Sequence, residues 1–172
     1  MCVVLGLAAC GKSNKKDNIE PPAELTEFSA SATVDRLWAQ GLGDGEKRLG
    51  IRQHPVLDAG TLYAATIEGE VFALDAASGK TLWRVDTNLR LSGGPGVGEG
   101  TLVVGSLDGE LLALNPDNGT ERWRAKLSSE VIATPAVGNG FAVARANDGR
   151  VFAFNITDGE RRWVYDRGLP SL

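Results

Sequence analysis

Ala73-Leu74-Asp75-Ala76-Ala77-Ser78-Gly79-Lys80-Thr81-Leu82-Trp83 is the stretch that decides the fold, because the chain writes it three times. It returns as Ala113-Leu114-Asn115-Pro116-Asp117-Asn118-Gly119-Thr120-Glu121-Arg122-Trp123, and again as Ala153-Phe154-Asn155-Ile156-Thr157-Asp158-Gly159-Glu160-Arg161-Arg162-Trp163. The glycines and the tryptophans both recur every 40 residues. A period of this length points to a repeat architecture rather than to one irregular core.

Outward from that stretch, each unit divides into four short apolar runs separated by turn signals. Pro55, Pro95 and Pro135 each precede a small apolar pair, and Gly60, Gly100 and Gly140 close the first turn. The second run is Thr61–Thr66, Thr101–Ser106 or Phe141–Ala146, and it ends in Glu68-Gly69, Asp108-Gly109 or Asp148-Gly149. An acidic residue followed by glycine between apolar runs is a hairpin signal, since glycine takes positive φ without a Cβ clash. The third run is Glu70–Asp75 and its counterparts. The fourth carries the tryptophan, over Lys80–Val85, Thr120–Ala125 and Glu160–Tyr165. In the third run Val71 and Ala73 alternate with Phe72 and Leu74, so both faces are apolar, as in a strand buried on both sides. Four strands per 40 residues predict all-β blades of a β-propeller, over about 52–85, 92–125 and 132–165. A helical solenoid is excluded, because glycine interrupts every candidate element within about ten residues.

Composition narrows the chemistry. The chain has 172 residues and a net charge of -4, with no long basic run, which argues against a nucleic-acid surface. One histidine, His54, leaves no material for a histidine triad or a multi-histidine metal site. Both cysteines, Cys2 and Cys10, fall in the first ten residues, so the repeats hold no disulfide. The turn acids Glu68, Asp108 and Asp148 sit at equivalent repeat positions and read as turn formers. No catalytic residue, metal site or cofactor is expected.

The front of the chain reads differently. Val3–Ala9 is an apolar run of seven residues, too short to cross a membrane, and it ends in Leu7-Ala8-Ala9-Cys10. This resembles a bacterial lipoprotein processing box, with residues 1–9 a truncated signal peptide and Cys10 the lipidated residue. Residues 10–32 are polar and read as a flexible tether. Between Cys10 and Trp38 such a coil has a root-mean-square reach of roughly 30 Å. Gly11 after the cysteine implies, by the same resemblance, the outer membrane and its periplasmic face.

The repeat resembles the quinoprotein-type propeller repeat: Ala-x-Asp, Ser or Thr before Gly, and Trp four residues later, matched at Ala73, Asp75, Ser78, Gly79 and Trp83. The resemblance covers residues 33–172. It implies that Trp83, Trp123 and Trp163 dock between blades on the Gly79-, Gly119- and Gly159-type turns. Such propellers typically have eight blades, of which about three are present, so the sequence is expected to be the front part of a longer protein. Thr33-Val34-Asp35-Arg36-Leu37-Trp38-Ala39 resembles a fourth strand without its first three, and residues 33–39 are read as a closing strand. The lipoprotein box, the tether, this orphan strand and the blades together resemble the BamB family of lipoproteins in the outer-membrane β-barrel assembly machine. That resemblance implies a scaffold, not an enzyme, with the barrel subunit BamA and the rest of the assembly complex as partners. It also implies outer-membrane lipid bound through acylated Cys10, unfolded outer-membrane proteins as clients, and Leu172 as the start of a partner-binding loop. The competing expectation is a periplasmic dehydrogenase dependent on pyrroloquinoline quinone, or a propeller sensor domain.

Overall fold

A computed structural model describes residues 22–27, 29, 31–45, 50–51 and 53–167. The chain divides into two units, Met1–Asp35 and Arg36–Leu172. The described residues of the first unit form neither helix nor strand and are exposed. All the sheets lie in the second.

Twelve strands form three four-stranded antiparallel sheets. The first holds β1 (Val56–Asp58), β2 (Thr61–Ala65), β3 (Glu70–Asp75) and β4 (Thr81–Asp86), in that order. The second holds β5 (Leu91–Gly98), β6 (Thr101–Ser106), β7 (Glu110–Leu114) and β8 (Glu121–Lys126). The third holds β9 (Ala136–Gly138), β10 (Phe141–Arg145), β11 (Val151–Asn155) and β12 (Arg161–Tyr165). Each sheet is a meander whose turns carry glycine at positive φ: Gly60, Gly79, Gly100, Gly119, Gly140 and Gly159 lie between +67° and +82°, and Gly69, Gly109 and Gly149 of the middle turns between +74° and +109°. The inner strand β5 touches both β1 and β9, so the blades fan from a common inner side.

The middle blade shows why the strands are apolar on both faces. Leu102, Val104, Leu112 and Leu114 face the first blade, where they meet Tyr63, Val71 and Ala73. Val103, Leu111 and Ala113 face the third blade, where they meet Ala142, Ala144, Phe152 and Phe154. All seven are no more than 1% exposed. Burial of a side chain of this size contributes about 1.5–3 kcal/mol relative to exposure, which makes these two interfaces the core of the molecule.

Two features differ from the sequence expectation. The first strand of the second blade starts at Leu91, ahead of Pro95, whereas β1 and β9 begin just after Pro55 and Pro135. Its register shifts twice, between Leu91 and Gly93 and between Gly93 and Gly96, which lets Pro95 sit in a strand without breaking the ladder. Residues 33–39, expected as a closing strand, form no strand. They belong to none of the three sheets, whose twelve strands begin at Val56.

Candidate functional site

The tryptophans are set by a device that repeats with the sequence. In each blade the fourth strand carries a β-bulge, at the Ala73/Leu74, Ala113/Leu114 and Ala153/Phe154 steps of the third strand. The bulge lies immediately before the tryptophan and re-aims it. Trp83, Trp123 and Trp163 pair across with Ala73, Ala113 and Ala153, the smallest side chains that leave room for an indole.

The indoles then cross to the next blade. The Trp83 N–H donates to the Pro116 carbonyl at 2.8 Å, and the Trp123 N–H to the Ile156 carbonyl at 2.8 Å. Their six-membered rings lie over Gly119 and Gly159: a Cβ built on those glycines would sit 2.8 and 2.6 Å from ring carbons. The Tyr63 hydroxyl shares the Pro116 carbonyl at 3.3 Å, and its ring tilts on Trp83 with centroids 6.1 Å apart. Burial raises the Tyr63 pKa above its ordinary value. Trp38 makes the same joint from outside the sheets. Its N–H donates to the Ala76 carbonyl at 3.0 Å and its ring covers Gly79, 2.6 Å from a built Cβ. The chain before blade 1 therefore presents one docked ring without a strand. Between it and the sheet, Trp38, Leu62, Ala64, Leu74 and His54 help to wall a cavity of about 300 Å³. Trp163 is 45% exposed, and no glycine turn lies against it among the described residues. Cys10 and Leu172 lie outside the described residues.

The turn acids have local partners. Asp75 accepts from the Ser78 backbone N–H at 2.8 Å and from its hydroxyl, and these bonds hold its carboxyl below the ordinary carboxylate value. Asp108 is lowered by Arg90, whose guanidinium donates to it at 2.8 Å. Asp148 is lowered chiefly by the Ser128 hydroxyl. Asn115 and Asn155, which replace Asp75 in the later copies, accept the N–H of Asp117 and Thr157. A neutral amide oxygen thus bonds the same turn, through the N–H two residues on rather than the Ser78 N–H three residues on.

Two joints escaped the sequence reading. The Glu99 carboxylate reaches the next blade and accepts the Asn139 and Gly140 N–H groups at 2.7 and 2.9 Å. Its only sequence signal is that equivalent positions hold Ala59 and Asn139, neither a carboxylate. The second is a glycine seam along β5. A Cβ on Gly93, Gly96 or Gly98 would meet the carbonyl oxygens of Val131, Pro135 or Val137 at 2.8, 2.0 and 2.6 Å. Side chains are excluded there because two inner strands approach backbone to backbone.

Residues 68–172 match the family model described as outer membrane protein assembly factor BamB. The chain belongs to the BamB family. A BamB of Xanthomonas campestris pv. campestris is 47% identical over 51% of this chain and 24% of its own length. The crystal structure of BamB from Moraxella catarrhalis matches with a TM-score of 0.62 and 26% identity, over 71% of this chain and 38% of that one. The chain thus spans about a quarter of its curated BamB relative. A second model, for the β-propeller domain of glucose, ethanol and alcohol dehydrogenases, matches residues 32–96. A europium-containing methanol dehydrogenase superposes with a TM-score of 0.56 at 21% identity, over 64% of this chain and 23% of that one, a likeness of fold.

Proposed function

We propose that this chain forms the front of a non-enzymatic scaffold lipoprotein of outer-membrane protein assembly. In that role Cys10 carries the acyl anchor at the periplasmic face of the outer membrane. The blades bind the barrel subunit BamA, with Leu172 opening the contact loop, and aid folding and insertion of β-barrel proteins. The observation that carries the reading is the BamB family match over residues 68–172, joined by a BamB relative at 47% identity. The positions of the turn acids support it: Asp75, Asp108 and Asp148 bond to their own turns and rims, the work expected of a framework.

The test is affinity capture of BamA from solubilised outer membranes by the protein, together with complementation of a strain lacking its BamB. Capture with restored barrel-protein levels is expected; failure of both refutes the role. Cys10→Ser is expected to move the protein from the membrane to the soluble fraction, and unchanged fractionation refutes the anchor. The dehydrogenase match over residues 32–96 favours a second reading, a quinone-dependent periplasmic dehydrogenase. Oxidation of alcohols or sugars by the protein with added pyrroloquinoline quinone would establish that reading and exclude the scaffold.

A further inference from the structure

The three blades carry equivalent residues on the outer rim, and the third breaks the pattern. In blade 1 Glu70 pairs with Arg84, whose guanidinium also lies 5.6 Å from the centre of the Phe72 ring. In blade 2 Arg124 pairs with Glu121 at 3.0 Å and with Glu110 at 3.5 Å. By the register of β11 and β12, the positions of Glu70 and Glu110 fall to Arg150, and those of Arg84 and Arg124 to Val164. The position of Thr81 and Glu121 falls to Arg161. The rim that is self-neutralised twice is therefore cationic and apolar the third time.

Arg150 turns aside to Asp166 at 2.8 Å and Asp148 at 3.4 Å. Arg161 has no ion-pair partner among the described residues, and Val164 is 39% exposed. These side chains, with Phe152 below them and Lys126 and Ser128 on the facing blade, wall a cleft of about 370 Å³. The cleft lies beside an open sheet edge. β12 is the terminal strand of its sheet, so its outward N–H and C=O groups have no ladder partner among the described residues. An added strand places alternate side chains on one face, two residues apart, and backbone pairing supplies the affinity while those side chains supply selectivity. The edges β4 and β8 are open as well, but Arg84 and Arg124, at the positions equivalent to Val164, already have carboxylates.

We propose that the outer edge of blade 3 takes an extended polypeptide segment as a fifth strand beside β12. An apolar side chain of that segment covers Val164, and a carboxylate two residues away pairs with Arg161. The partner supplies in trans the acid that Arg161, unlike Arg84 and Arg124, lacks in cis among the described residues. The cleft stands on this chemistry alone and does not depend on the assembly role proposed above.

The test uses the full chain and a labelled, capped peptide of about nine residues that alternates threonine with valine around one central glutamate. Twins carry glutamine or lysine in place of the glutamate. Fluorescence anisotropy is expected to show the glutamate peptide binding about fivefold more tightly than the glutamine twin. Arg161→Gln is expected to erase that difference, and Arg161→Glu to reverse the preference toward the lysine twin. Val164→Glu, which places a carboxylate inside the cleft, is expected to weaken the glutamate peptide while leaving the thermal midpoint unchanged. Absence of peptide binding, equal binding of the glutamate and glutamine peptides, or discrimination that survives Arg161→Gln overturns the proposal. Binding to phosphatidylglycerol vesicles that requires Arg161, with no binding of any peptide, assigns the cleft to a lipid surface and likewise overturns it.

Discussion

Gly119→Ala puts the tryptophan joint to a quantitative test. Gly119 has φ +74°, and a Cβ there would lie 2.8 and 2.9 Å from two carbons of the Trp83 ring. Positive φ in a residue with a side chain costs about 1–2 kcal/mol. Carbon atoms rest at about 3.5–4.0 Å, so the indole must retreat by roughly 0.7 Å or more. Overpacking of that kind costs about 1–3 kcal/mol, and the 2.8 Å bond from the indole to Pro116 is stretched with it. Gly100→Ala is the control, for Gly100 has φ +67° but nothing within 4 Å of a built Cβ. It bears the backbone cost alone. The difference between the two variants, about 2 kcal/mol, is the cost of crowding the ring. In a chain of this size that corresponds to roughly 4–8 °C in thermal midpoint. Urea and thermal unfolding followed by far-ultraviolet circular dichroism measure it, and repetition in a Trp83→Leu background is expected to remove the excess. The reasoning is refuted if Gly119→Ala is no more destabilising than Gly100→Ala, or if the excess persists undiminished without the indole.

The other expectations rest on the same geometry. Gly96→Ala drives a methyl to 2.0 Å from the Pro135 carbonyl and is expected to cost about 1–3 kcal/mol or more, whereas Gly138→Ala meets nothing within 4 Å; equal unfolding midpoints would refute the seam. Trp123, 7% exposed, is expected to lose about 3–5 kcal/mol on substitution by alanine, and Trp163, 45% exposed, no more than half of that; the reverse order in urea unfolding would contradict the joint. Asp75 has a lowered pKa, so its contribution is complete above the ordinary carboxylate value, about 3.9, and is lost as pH falls through its lower folded value. Asp75→Asn, the residue type of the other two copies, is therefore expected to leave neutral stability nearly unchanged and to flatten its fall below about pH 4; an unaltered acid limb in pH-dependent unfolding would count against the Ser78 bonds.

The blades were legible because their determinants are local. A glycine at positive φ, an alternation of apolar residues and a tryptophan four places beyond the glycine act within one hairpin. Repeated three times, they place β3 at Glu70–Asp75, as expected, and β4 one residue beyond its expected start, at Thr81. The site was less legible. Glu99 looks like an ordinary turn residue until the Asn139 and Gly140 N–H groups are found against its carboxylate. Arg161 looks like one charge among many on a strand until the equivalent positions of the other blades are laid beside it.

By itself, then, the sequence determined the all-β class, the 40-residue unit and the four strands of each blade. These follow from backbone sterics and side-chain periodicity over a few residues. Tertiary structure alone decided which carbonyl each indole reaches: Ala76 for Trp38, Pro116 for Trp83 and Ile156 for Trp123. It also decided that Trp38 docks its ring with no strand around it, that β5 approaches its neighbour through glycine, and that Arg161 stands beside an open edge. Each of these joins groups more than 30 residues apart, or sets a strand beside a neighbouring sheet, and such contacts exist only once the blades have stacked.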